Sequence, residues 1–165
     1  MRVCVERGLV LFYDEVYRQL NFEEAPTIHP FAIEGGRAQT IVMGSFSKIF
    51  GMTGWRVGYI LAPPAVIEQM LKVQDTTLIC APVAAQMLAA ACLERFPDHA
   101  AGYRVLLRRR VEALRGVVEA IPGLRWRQPA GALFTLIGCD ARRPSAELAE
   151  ALIAREGLAV VPGAA

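Results

Sequence analysis

The sequence predicts an α/β protein: a mixed, mostly parallel sheet unit, then a long helix and a smaller α/β unit. Three observations carry this prediction. Short apolar runs at Leu9–Tyr13, Thr40–Met43 and Val57–Leu61 have the length and residue types of strands and are separated by turn-rich or glycine-rich segments. From Asp98 onward, Tyr103, Leu106, Leu107, Val111, Leu114, Val118 and Ile121 follow helical spacing until Pro122–Gly123 stops them. A composition of 54% hydrophobic and 21% charged residues over 165 positions supports one or two compact cores and excludes disordered and fibrous classes.

Taken in order, Met1–Gly8 reads as the last turn of a helix with Gly8 as its stop. Leu9–Tyr13 is a continuous apolar run of the fully buried parallel-strand type, with Asp14 at its carboxyl end. In open α/β sheets ligands bind at that edge, and a carboxylate there can pair with a cationic ring nitrogen; the competing reading of Asp14 is a helix cap for Glu15 onward. Asn21–Gln39, with Pro26, His29, Pro30 and Gly35–Gly36, reads as a surface connection. Thr40–Met43 is the next strand and delivers Ser45–Lys48 to the same sheet edge as Asp14. Val57–Leu61 follows the glycine loop so directly that it is expected to be antiparallel.

Pro63–Pro64 opens a helix through about Val73, and Pro82 starts another to about Arg95 whose small residues permit close packing against other helices. Pro97–Asp98 interrupts the helical pattern before the long helix, so the division is expected there, giving units 1–97 and 98–165. Beyond it, Ala132–Ile137 reads as a strand, Ser145 as the cap of a helix through Arg155, and Leu158–Val161 as a last short strand.

The chemistry concentrates in Gly44–Tyr59. Ser45 and Ser47 can donate hydrogen bonds to a phosphate, Arg56 can grip it with a planar fork of charged donors, and Gly51, Gly54 and Gly58 allow close backbone approach. Lys48 then supplies an amine able to condense with an aldehyde. The alternative for Ser47 is a loop hydroxyl satisfying its own backbone.

Ser45-x-Ser-Lys48-x-x-Gly51-x-x-Gly54-Trp-Arg56-x-Gly58-Tyr59 resembles the lysine signature of class I/II pyridoxal-phosphate aminotransferases, the aspartate aminotransferase-like group of fold type I. Asp14-Glu-Val-Tyr17 is similar to the same group's strand-end Asp-x-x-Tyr, and Pro129-Ala-Gly131-Ala132 to its Pro-x-Gly-Ala motif. The resemblance implies pyridoxal 5'-phosphate as cofactor and an amino acid and a 2-oxo acid as substrates. It implies that Lys48 binds the cofactor aldehyde and shuttles the substrate's α-proton, that Asp14 keeps the ring nitrogen protonated and that Tyr17 hydrogen-bonds the ring oxygen. Ser45, Ser47 and Arg56 would hold the phosphate.

The resembled enzymes are more than twice this length, which implies that the chain covers the second part of the large domain and part of the small one. The substrate-carboxylate arginine is then expected beyond its end, and a homodimer is expected of the full-length parent. Carbon–sulfur β-lyase chemistry, or a non-catalytic binding relative, is the alternative, because the lysine loop is shared. A net charge of +2 with scattered basic residues points away from nucleic acid. No run reads as a secretion signal or membrane span, and Cys4, Cys80, Cys92 and Cys139 have no metal-binding spacing, so a cytoplasmic protein without metal is expected. His29 and His99 read as loop and helix-start histidines without a catalytic task.

Overall fold

A computed structural model of the protein describes residues 1–22 and 28–164, so Pro26 lies outside the described residues. Helix α1 (Arg2–Arg7) ends at Gly8 in the left-handed conformation (φ 61°), the stop its sequence predicts. β1 (Leu11–Asp14), β2 (Thr40–Ser45) and β3 (Gly58–Leu61) form a mixed sheet in the order β1-β2-β3. β1 runs parallel to β2 and β3 antiparallel to it, as the short loop between them requires. The four-residue helices α2 (Gly36–Gln39) and α3 (Phe46–Ile49) flank β2. β2 is the buried strand, with Thr40, Ile41 and Val42 all shielded; β1 departs from the fully buried expectation because its side chains alternate, leaving Phe12 61% exposed.

Two helices follow. α4 (Pro64–Thr77) runs a turn beyond the expected Val73, and the hydroxyls of Thr76 and Thr77 bond back to the carbonyl of Val73 at 3.0 and 2.7 Å. α5 (Val83–Arg95) buries Ala85 and Ala89, one turn apart, against Phe46, Met52 and Val57, with Cys92 beside them. Its small residues therefore receive the loop that carries Lys48. No helix among the described residues is long and apolar enough to cross a membrane.

The chain separates into two compact units inside the long helix α6 (His99–Glu119): one comprises Met1–Leu107 with Ala130–Leu133, the other Arg108–Pro129 with Phe134–Ala165. In the second, β4 (Leu124–Trp126) pairs antiparallel with β5 (Ile137–Cys139), braced by the Arg125–Asp140 ion pair and by Trp126 Nε1–H donating to Thr135 Oγ1 at 2.6 Å. The strand expected over Ala132–Ile137 forms only from Ile137, because Ala132 takes a left-handed φ of 69° that an extended strand does not admit.

Helix α7 (Ser145–Glu156) is preceded by Pro144, so Ser145 is its first residue and not its cap; the Ser145 hydroxyl instead accepts the Ala164 N–H at 3.1 Å. Leu158–Val161 is not a strand. Leu158 N–H turns back to the Leu152 carbonyl to close α7, and the next residues pair with no strand among those described, leaving Val161 83% exposed.

Candidate active site

The parallel pairing of β1 and β2 sets Asp14 opposite Met43, and the Glu15 N–H continues the ladder to the Met43 carbonyl at 2.9 Å. Asp14 therefore stands at the carboxyl edge where β2 runs on to Ser45. Its Oδ1 accepts the Val16 N–H at 3.0 Å, an Asx turn and not the cap of a helix, since no helix starts at Glu15. Oδ2 has no hydrogen-bond partner among the described residues, so the turn leaves one oxygen for a ligand. Tyr17, half-buried, precedes the short 3-10 turn Arg18–Leu20.

Ser45 adopts an extended conformation and caps α3, its Oγ accepting the Ser47 N–H at 3.1 Å. The hydroxyl that satisfies local backbone is thus that of Ser45, whereas Ser47 is buried in the turn. Lys48 follows on α3, half-buried, and its amine makes no ion pair or hydrogen bond with any described residue. Phe46 N–H reaches the Val57 carbonyl at 3.4 Å, which closes the loop and returns Arg56 to the neighbourhood of Ser45 and Ser47.

Arg56 holds a left-handed backbone (φ 51°), and one of its terminal nitrogens donates to the Thr53 carbonyl at 2.8 Å. A non-glycine residue in this conformation costs about 1–2 kcal/mol. The strain falls on the residue whose guanidinium the sequence assigns to the phosphate. Gly54, by contrast, faces open space and is not required by any close approach.

The sequence reading missed a second layer. Glu15, next to Asp14, has a side chain only 7% exposed; its Oε1 accepts the Tyr59 O–H at 2.8 Å and its Oε2 lies 3.1 Å from His29 Nε2. Tyr59 lies across Gly44, where an added Cβ would fall 2.1 Å from the ring. Burial first, and then the hydrogen bond to Glu15, raises the Tyr59 phenol from 10.0 to about 12. Glu15 and Tyr59 border a cavity of about 420 Å³ that Gln19, Ser45, Phe46 and Phe50 also line. The only sequence signal for Glu15 was its place inside Asp-x-x-Tyr, and its partner Tyr59 lies 44 positions away.

The polar groups present are an amine unpaired among the described residues, a carboxylate with an accepting oxygen to spare, a phenol, two hydroxyls and a guanidinium. That chemistry fits pyridoxal phosphate, which needs an amine for its aldehyde, a carboxylate for its ring nitrogen and donors for its phosphate.

A mixed sheet whose strand ends carry a carboxylate and a lysine loop defines the class to which the comparisons assign the chain. The aminotransferase class I and II family matches residues 1–165, and the chain belongs to that family. It is 34% identical over 163 residues to a putative aminotransferase, YugH, of Bacillus subtilis, covering 96% of this chain and 41% of that protein. It is 33% identical to an aspartate aminotransferase of Musicola paradisiaca, covering 99% and 42%. Among solved structures, the α-aminoadipate aminotransferase LysN of Thermus thermophilus, complexed with N-(5'-phosphopyridoxyl)-L-leucine, superimposes with a TM-score of 0.89 at 27% identity, covering 98% of this chain and 42% of that one. The chain thus spans about two-fifths of the length of these relatives.

Proposed function

We propose that the protein carrying this chain is a pyridoxal-phosphate-dependent aminotransferase that moves an amino group between an amino acid and a 2-oxo acid. The observation that carries the reading is Lys48: one of two lysines in the chain, unpaired among the described residues, one turn beyond Ser45 at the sheet edge that Asp14 shares. The phosphopyridoxyl-leucine bound to the Thermus thermophilus relative is in keeping with it.

When bound, pyridoxal phosphate supplies an electron sink for the bonding pair of a substrate α-carbon. Lys48 would bind the aldehyde carbon and, once displaced by the substrate amine, take the α-proton on its Nζ and return it. Asp14 would hold a proton on the ring nitrogen through Oδ2, and Tyr17 would donate to the ring oxygen. Ser45, Ser47 and Arg56 would anchor the phosphate, with Arg56 contributing the charge. We assign 1–97 to the cofactor-binding part and 98–165 to the linking helix and second unit, and place the protein in the cytoplasm. A homodimer is part of the proposal, supported by the exposed apolar run Leu78, Ile79, Val83 and Met87 between and along α4 and α5.

Borohydride reduction in the presence of pyridoxal phosphate, followed by peptide mapping, tests the reading. The label is expected on Lys48. A label on Lys72, whose amine donates to Gln69 Oε1 at 2.9 Å on α4, refutes it.

A further inference from the structure

Glu15 is a carboxylate with little access to water, and burying such a group is costly unless donors surround it. Here the Tyr59 hydroxyl from β3 donates to Oε1, while Oε2, which makes no hydrogen bond with the described residues, has His29 Nε2 at 3.1 Å, from the connection before β2, and a terminal nitrogen of Arg18 at 3.7 Å, from the turn that follows it. The histidine ring is fixed in orientation. Its Nδ1 accepts the Phe31 N–H at 3.1 Å, so the ring proton resides on Nε2, the nitrogen that faces Glu15. With its own N–H bonded to the Met43 carbonyl, Glu15 is tied to β2 by backbone and to β3 by side chain.

Tyr59 is constrained in turn. Its ring lies over Gly44 and meets the Phe46 ring edge-on at 5.7 Å, so the phenol reaches Glu15 from a fixed position. The far end of the Asp14–Tyr17 segment is held as well: Phe22 N–H bonds to the Ala130 carbonyl at 3.0 Å, and an added Cβ on Gly131 would fall 2.9 Å from the Asn21 Cα. The segment bearing Asp14 and Tyr17 is therefore pinned behind by the Pro-x-Gly-Ala loop and in front by Glu15.

We propose that Glu15 and Tyr59 are a positioning pair that holds the Asp14–Tyr17 turn in register with the Ser45–Arg56 loop, so that ring and phosphate contacts of the cofactor are presented together. The inference rests on the functional reading above. It adds two residues that touch the supporting geometry and not the reacting atoms.

The test uses the whole protein with Tyr59→Phe and Glu15→Gln, and Thr77→Val on α4, which also loses one hydrogen-bonding hydroxyl, as a control outside the pair. Tyr59→Phe removes the phenol donor, whereas Glu15→Gln removes the charge and keeps two polar groups, its amide N–H₂ able to donate to the Tyr59 oxygen and its carbonyl to face His29 Nε2. Two readouts are taken: amide hydrogen exchange in the cofactor-free protein, and half-saturation by pyridoxal phosphate followed by absorbance. Loss of this hydrogen bond in Tyr59→Phe is expected to speed exchange over Glu15–Gln19 about five-fold and to weaken half-saturation about five-fold, less for Glu15→Gln, with exchange in α5 unchanged. Exchange that rises equally in α5 overturns the proposal, because it marks general destabilisation. Uptake of cofactor by the wild type with neither readout moved in either variant overturns the pair alone. A wild-type protein that takes up no pyridoxal phosphate overturns the functional reading and, with it, the pair as a cofactor device.

Discussion

Gly44→Ala gives the sharpest check on the packing behind the lysine loop. Gly44 sits in β2 outside the left-handed region, so alanine suits the backbone and by itself would stabilise by about 0.4–1 kcal/mol through the unfolded chain. Against that, the new methyl would lie 2.1 Å from Tyr59 Cζ, and reaching a normal carbon–carbon contact needs a ring shift of about 1.5 Å. Overpacking of this kind costs about 1–3 kcal/mol, so the clash wins and the variant should be less stable by about 1–2 kcal/mol. Repeating the substitution in a Tyr59→Ala background removes the clash and should reverse its sign. The assay is a double-mutant cycle on urea unfolding midpoints. Costs that add to within about 0.5 kcal/mol would refute the contact as the cause, and so would a Gly44→Ala variant at least as stable as wild type.

Further outcomes follow from the same geometry. Asp14→Asn keeps an oxygen for the Val16 N–H, so thermal stability and cofactor content should hold while single-turnover transamination falls at least a hundred-fold; unchanged rates would leave Asp14 as a turn cap only. Arg56→Gly should raise the melting midpoint by relieving about 1 kcal/mol of backbone strain and yet weaken pyridoxal phosphate binding about ten-fold or more, two shifts of opposite sign read by calorimetry and by absorbance titration. Because the folded protein holds the Tyr59 proton up to about 12 against 10.0 in the unfolded chain, this stabilisation is complete below pH 10 and is lost as pH rises toward 12. Wild type should therefore lose more stability than Tyr59→Phe between pH 9.5 and 11.5, roughly the window in which only the unfolded phenol ionises. Sedimentation at micromolar concentration should find a dimer, and Met87→Glu, on the exposed run of α5, should shift it toward monomer.

The sheet was legible because its signals are local. A proline pair, a short glycine loop and three apolar runs settle β1 to β3 and the antiparallel turn of Val57–Leu61 without reference to distant parts. The same rule misled at Ala132–Ile137, where an apolar run reads as a strand while the Asn21–Phe22 backbone, more than a hundred positions away, holds Ala130 and Gly131 and bends the chain at Ala132. β4 passed unnoticed because Arg125 and Arg127 interrupt its apolar pattern, and pairing with β5 decides it. In the candidate site, Asp14, Ser45, Lys48 and Arg56 are singled out by residue type and spacing. Glu15 is not, since nothing in sequence distinguishes a buried glutamate held by remote donors from one on a turn surface.

The helix that bears Lys48 is only four residues long, far below the length at which a helix persists alone in water. What holds it is an aromatic stack: Phe46 lies on Phe50, Phe50 on His99, and Tyr103 meets His99 edge-on, joining α3 to the first turns of α6 about fifty positions further on. The lysine turn cannot nucleate by itself, so its order is imposed by tertiary contacts from α5 and α6 and not by its own four residues.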